Sequence, residues 1–186
     1  PNAITADLVR EGAIVIDGYN ALGYTAAAIG NHDFDFGAVD AGRFEQGADR
    51  RGTLKARASQ ARFPFLAANL RENGRPVEWP NVRRSTIVDA AGVKVGVIGV
   101  MTRDALSMTL PSNVAGLQVT AVAEALETEA VRLRADGAAV VVVAACSGGG
   151  AASPAASGEA TAAPTTAASA GTSAAPSAAA ELTPIR

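Results

Sequence analysis

The feature that most limits what this chain can fold into is a break in composition near Ser147. From there to about residue 180 the sequence is almost wholly Ala, Ser, Thr, Gly and Pro, as in "AASPAASGEATAAPTTAASAGTSAAPSAAA". That stretch lacks aromatic and large aliphatic side chains, so it cannot bury enough surface to offset the entropy of ordering its backbone. Alanine alone favours helix, but the scattered Pro, Gly and Ser oppose a long one. Residues 149–186 therefore read as a disordered low-complexity tail, and a core must come from residues 1–148.

Within residues 1–148, helical and strand-like segments alternate. Residues 4–22 suit a helix with Leu8, Val9, Ile16, Tyr19 and Leu22 inward, weakened by Gly12 and Gly18. "AAAIG" (26–30) reads as a short buried strand, "TLKARASQAR" (53–62) as an exposed basic helix, and "FPFLAAN" (63–69) as a strand started by Pro64. "STIVDAAGVKVGVIGV" (85–100) predicts two strands around a turn at Ala90 to Gly92. "VTAVAEALETEAVRLRADG" (119–137) is the clearest helix, with Val122, Leu126, Val131 and Leu133 apolar and Gly137 as its stop. "AAVVVVAA" (138–145) predicts a fully buried strand from its β-branched run. Strand, helix and strand in this order predict a layered α/β domain.

Composition excludes several classes. A formal charge of −2 gives no basic face for nucleic acid. The lone cysteine, Cys146, rules out an internal disulfide framework and a cysteine-rich zinc site. No apolar run approaches the roughly 20 residues that span a bilayer. No signal peptide is visible, though the chain opens on Pro1-Asn2 as if cut from something longer. A monomer is expected.

Chemistry concentrates in "GNHDFDFG" (30–37), which holds the only histidine. The loop follows a predicted strand, where α/β proteins usually carry their sites. The Asn31 oxygen is a hard, neutral ligand for a divalent cation, and leaves more positive charge on the metal than a carboxylate would. His32, next in the chain, projects a different way and can face a substrate. Asp35 can accept the other ring N–H of His32, fixing its tautomer and favouring an imidazolium that protonates or stabilises a leaving oxygen. Gly30 and Gly37 are expected to let the backbone turn around the site. The bland alternative is a polar turn with a solvated histidine, since Asn and Asp favour turns in any case.

"YNALGYTAAAIGNHDFDFG" (19–37) resembles the 5'-nucleotidase branch of the calcineurin-like metallophosphoesterases, which carry a Gly-Asn-His-Glu/Asp-Phe-Asp-x-Gly signature after such a helix and strand. The resemblance continues through "ARFPFLAANL" (61–70), "VDAAGVKVGVIGVMT" (88–102) and "GAAVVVVAA" (137–145). It implies a partial catalytic domain: an incomplete α/β/β/α metallophosphoesterase sandwich that holds two divalent ions, Mn, Zn, Mg or Fe, around a bridging water. It further implies Asn31 as a metal ligand, His32 as the transition-state histidine and Asp35 as its partner. The substrate would be a nucleotide or other phosphate ester. A periplasmic, secreted or cell-surface location is suggested by the resemblance only.

The resemblance also exposes gaps. The family's first ligands come from an Asp-x-His and a Gly-Asp upstream of the matched segment. A further ligand is a histidine at a strand end that here reads Ala144-Ala145-Cys146-Ser147-Gly148. With Asn31 alone in an expected position, the chain is expected to hold no cation or one weak one, and to be inactive by itself. A non-catalytic or degenerate domain that keeps the fold as a weak metal- or partner-binding module is the alternative. The loss of pattern at Ala145 is also what a shifted reading frame in a GC-rich gene would produce. Cys146 reads first as a small buried residue, with zinc ligation the minor alternative. "GVIGV" (96–100) lacks a full dinucleotide fingerprint, so its glycines read as close-packing positions. "SGGG" (147–150) reads as a flexible joint, and Arg50, Arg51, Lys55, Arg57 and Arg62 as a solvated face.

Overall fold

The computed structural model describes residues 11–39 and 46–146. The predicted disordered tail, "SGGG" and the segment 4–10 of the first predicted helix lie outside the described residues. Helix α1 runs Ala13–Ala21, β1 Ala27–Ala28 and α2 Gly52–Gln60. Four short strands follow: β2 Phe65–Leu66, β3 Leu70–Glu72, β4 Arg75–Pro76 and β5 Val82–Arg83. The longer strands are β6 Ser85–Ala90, β7 Val93–Met101 and β9 Val140–Cys146, with α3 Pro111–Val114, β8 Leu117–Val119 and α4 Val122–Ala135 between the last two.

The strands form three sheets. β1-β2-β5 is parallel throughout, β4-β3-β8 is antiparallel, and β6-β7-β9 combines an antiparallel hairpin with a parallel pair. Ala91 and Gly92 take positive φ values of 54° and 83° between β6 and β7, so the hairpin turns where the sequence predicts. β7 and β9 pair from Val95 opposite Val140 to Met101 opposite Cys146. Together with flanking helices, these sheets make the layered α/β architecture expected of a metallophosphoesterase fold.

Two apolar clusters hold the layers. The larger gathers Ile29, Phe34, Phe63, Phe65, Leu70 and Met101 with Ile16 of α1 and Leu54 of α2. The smaller packs Leu133 and Ala138, with Leu126 of α4, against Ile98 and Val100 of β7. Burying one such large side chain stabilises by roughly 1.5–3 kcal/mol. Gly99 lets the backbones of β2 and β7 meet, since a Cβ there would overlap Leu66 Cβ and lie 2.5 Å from the Leu66 carbonyl oxygen. The Gly99 carbonyl accepts from the Ala68 amide at 2.7 Å. "GVIGV" is thus interior strand, and its glycine is a packing position.

Polar side chains close gaps that sheet pairing leaves open. Asn69 is fully buried and makes three main-chain bonds: its Nδ2 donates to the Met101 carbonyl (2.9 Å) and the Thr120 carbonyl (3.1 Å), and its Oδ1 accepts from the Met101 amide (2.9 Å). Gln60 Nε2 donates to the Ala13 carbonyl at 2.9 Å and to Asp17 at 2.7 Å, clamping α2 to α1.

Several expectations need correction. Leu22 is exposed, because α1 ends at Ala21 before the stripe reaches it. Val131 is exposed too: the buried stripe of α4 runs through Leu126, Glu129 and Leu133, and Val131 falls on the opposite side. Glu129 is only 2% exposed, and accepts from Ser85 Oγ (2.6 Å) and Arg132 Nη2 (2.9 Å). β9 is not fully buried, since Val140, Val142 and Val143 all reach solvent and β7 is its only strand neighbour among the described residues. Nor is α2 wholly exposed: Thr53, Leu54 and Ala58 are buried. The basic residues around it are not simply solvated either. Arg51 meets Glu72 at 3.2 Å, and Lys55 bonds Asp49 at 2.8 Å while lying over the Trp79 ring.

Candidate active site

The loop after β1 folds as one 3₁₀ turn, Asn31–Phe34. With three residues per turn, side chains at i and i+3 share a face. Asn31 and Phe34 therefore point inward together, whereas His32 and Asp35 share the solvent side. Phe34 anchors the turn by packing edge-on to Trp79, with centroids 6.4 Å apart at 74°. Asp33 Oδ2 accepts from the Gly30 amide at 2.7 Å, tying the entry of the turn to its third residue. Burial pushes the Asp33 carboxyl above the ordinary aspartate range, against the opposing pull of that amide.

The predicted pairing of His32 with Asp35 is present. His32 Nδ1 lies 2.8 Å from Asp35 Oδ2, while the imidazole remains 85% exposed. That leaves Nε2 available to an incoming group. Asp35 is held by a third residue, since Thr109 Oγ1 donates to its Oδ1 at 3.4 Å.

Asn113 contributes more and is invisible in the motif. Its Nδ2 donates to the Phe34 carbonyl at 2.8 Å and, more weakly, to the Asp35 carbonyl at 3.4 Å. A Cβ at Gly37, where φ is 73°, would meet Asn113 Oδ1 at 2.8 Å. Gly37 is thus needed for both its backbone and its lack of a side chain. Gly30 is not: its φ of −116° is extended backbone that any residue adopts, so its expected turning role is corrected. The only local signal for Asn113 is Pro111 opening a helical turn that the strand-and-helix reading passes over.

Asn31 is 4% exposed, yet its carboxamide has no hydrogen bond among the described residues. A nearly buried amide with no protein partner suits a cation or a water as its missing partner. A complete metal centre is another matter. Among the described residues no three His, Cys, Asp or Glu side chains gather as a metal-binding group. β9 ends at Cys146, whose side chain lies outside the described residues. The described residues therefore fit one amide ligand of a cation and do not fit a two-metal site.

No protein-family model matches the chain. Individual relatives do. The endonuclease YhcR of Bacillus subtilis is 29% identical over 118 residues, 62% of this chain and 9% of that protein. A 5'-nucleotidase of Diplobatis ommata is 33% identical over 93 residues, 49% of this chain and 14% of that protein. A snake venom 5'-nucleotidase of Gloydius brevicauda is 31% identical over 103 residues, 54% of this chain and 16% of that protein. Among solved structures, a 5'-nucleotidase precursor from Thermus thermophilus superposes with a TM-score of 0.60 at 25% identity, over 73% of this chain and 24% of its own. The calcineurin-like phosphoesterase YfkN of Bacillus subtilis gives 0.54 at 25% identity, over 75% and 40%. The chain thus spans well under one fifth of these curated relatives. In sequence and in fold the chain is similar to part of 5'-nucleotidases and of a calcineurin-like phosphoesterase.

Proposed function

We propose that this segment carries the proton-handling half of a phosphoesterase site, with His32 as the group facing the leaving oxygen, Asp35 orienting it and Asn31 as a metal ligand. The observation that carries the reading is the 2.8 Å contact between His32 Nδ1 and Asp35 Oδ2 beneath an open imidazole. A carboxylate on Nδ1 holds a proton there, so Nε2 is the nitrogen that exchanges a proton with an ester oxygen. Thr109 and Asn113 restrict the motion of Asp35 and its backbone, keeping the pair aligned. Nucleotides and related phosphate esters are the proposed substrates, on the strength of the 5'-nucleotidase names among the relatives.

The chain alone is proposed to be inactive. In the family, two cations supply the activated water, and the described residues here do not fit that pair. The same observation favours a second reading, a domain that keeps the fold and binds one cation or a partner weakly. An exported location is proposed from the venom relative. No helix of the described residues is long and apolar enough to cross a membrane.

Two measurements test this. Purified chain is assayed with a chromogenic phosphodiester and with AMP, in manganese and in zinc; no turnover is expected, and a rate within tenfold of about 10 per second would overturn the inactivity. Equilibrium dialysis with manganese counts bound ions. At most one weak cation, lost in Asn31→Leu, is expected, and binding unaffected by that substitution would remove Asn31 as a ligand.

A further inference from the structure

The contact between His32 and Asp35 has little in its own surroundings to hold it. Both side chains are open to solvent, at 85% and 47% exposure, and a charged or polar pair in that setting contributes little to its own alignment. Thr109 Oγ1 reaches the far carboxylate oxygen only from 3.4 Å, longer than an ordinary hydroxyl bond. The alignment must therefore come from the backbone that carries Asp35.

A 3₁₀ turn ends with carbonyls that have no amide partner inside it. Here the Asp35 amide donates to the His32 carbonyl at 3.2 Å, and among the described residues no backbone amide reaches the carbonyls of Phe34 or Asp35. Asn113 Nδ2 serves both, at 2.8 and 3.4 Å. It stands where the next amide would come if the helix continued, so the chain can leave at Gly37 with the end of the turn capped. The carboxamide is itself held in place. Asn113 is 4% exposed, its Oδ1 accepts from Ser112 Oγ at 3.3 Å, and its main-chain amide donates to the Leu110 carbonyl at 2.9 Å. Gly37 closes the other side, since a Cβ there would fall 2.8 Å from Oδ1 and 3.0 Å from Nδ2.

We infer that Asn113 is the positioning residue of the His32–Asp35 pair: by capping the end of the 3₁₀ turn it sets the Asp35 carboxylate against Nδ1, and so decides which ring nitrogen of His32 carries the proton. The inference deepens, and rests on, the reading of His32 as the proton-handling group. Asn113 touches neither the imidazole nor the carboxylate and acts only through two main-chain carbonyls. The Thr109 hydroxyl, distant and partly exposed, is secondary to it.

The test reads the ring directly. Long-range ¹H–¹⁵N spectra of the full chain at about pH 9, above the ordinary imidazole range, separate the Nδ1–H from the Nε2–H form of His32, the only histidine. The parent should show the Nδ1–H form in excess. Asn113→Asp keeps the size of the side chain but turns an acceptor toward both carbonyls. The ratio of Nδ1–H to Nε2–H should then fall at least about fivefold, the equivalent of one ordinary hydrogen bond. Gly37→Ala drives a methyl into the same carboxamide and should move the ratio the same way, which keeps the test open if Asn113→Asp does not fold. Thr109→Val removes one long bond and should change the ratio by less than about twofold. Circular dichroism, with the emission of Trp79, the only tryptophan and packed on Phe34, checks that each variant is folded with its turn seated. Folded Asn113 and Gly37 variants that lose stability yet keep the parent's ratio would overturn the inference, leaving Asn113 a purely structural part. A shift in Thr109→Val as large as that in Asn113→Asp would overturn it too. A parent with no excess of Nδ1–H fails differently: it removes the His32–Asp35 pairing behind the proposed function, and the positioning role with it.

Discussion

Substituting Gly99 by alanine probes the contact on which the two main sheets depend. The added Cβ would overlap Leu66 Cβ and sit 2.5 Å from the Leu66 carbonyl oxygen and 2.7 Å from its carbonyl carbon. Two of those three atoms are backbone, so no rotamer change relieves the clash. Restoring contacts of about 3.5 Å needs β2 and β7 to part by about 1 Å. That movement stretches the 2.7 Å bond from the Ala68 amide to the Gly99 carbonyl and loosens Ile98 and Val100 against α4. Overpacking of this kind costs about 1–3 kcal/mol, and for a domain near this size each kcal/mol lowers Tm by about 2–5 °C. Thermal and urea unfolding followed by circular dichroism should therefore place Gly99→Ala about 2–15 °C below the parent. Gly18→Ala is the matched control. It lies inside α1 with nothing within 4 Å of its would-be Cβ, so it should stabilise by about 0.5–1 kcal/mol. If Gly99→Ala matches the parent while Gly18→Ala gains stability as expected, the sheets do not meet at Gly99 and the packing argument is wrong.

Asn69→Ala should cost at least about 2 kcal/mol in urea unfolding, because it strands the buried Met101 amide and two carbonyls that the amide side chain now satisfies; a loss below half that value would mean water replaces the side chain. Asp49 offers a pH test. Partial burial raises its carboxyl, but bonds from Lys55 Nζ and the Arg51 amide outweigh that and hold it below the ordinary value of 3.8. A lowered folded-state pKa stabilises above the unfolded value and loses that contribution as pH falls through the folded one. The stability gap between the parent and Asp49→Asn should accordingly be present at neutral pH and close below 3.8, and a gap that widens on acidification contradicts the sign. In a longer polypeptide that restores the Asp-x-His and downstream histidines, His32→Ala should lower turnover by roughly 10²–10⁴-fold with metal content unchanged. Loss of metal would make His32 a ligand.

What the sequence reveals of this fold follows from how local each signal is. The β6–β7 hairpin is read almost to the residue and α4 to within three residues at its ends, because turn residues and a 3.6-residue stripe are written in adjacent positions. The pairing of His32 with Asp35 is equally local, three residues apart on one turn. The strands β3, β4, β5 and β8 escape notice because each has two or three residues, too few to show alternation. Glu129 looks like a surface residue of an amphipathic helix until Ser85 and Arg132, brought in by β6 and the next helical turn, supply its partners. Asn113 and Thr109 are silent for the same reason: they reach the site across more than seventy residues of chain.

The parallel pairing of β9 with β7 raises a question of positional information. Four consecutive valines, Val140–Val143, face partners from Val95 to Ile98, so sliding β9 along β7 exchanges one valine for another. The strand carries almost nothing that distinguishes one register from the next, although a one-residue slip would normally turn a patterned strand inside out. The address is held instead at the helix end. Gly137 takes φ 94°, the Ala138 amide returns to the Leu133 carbonyl at 2.9 Å, and the Ala139 amide reaches the Lys94 carbonyl at 2.9 Å. Three of the four connecting residues therefore specify where the seven residues of β9 begin. Inserting or deleting one residue there would shift the whole β7–β9 ladder while still setting valines opposite β7, whereas swapping valines for isoleucines within β9 would leave the alignment alone.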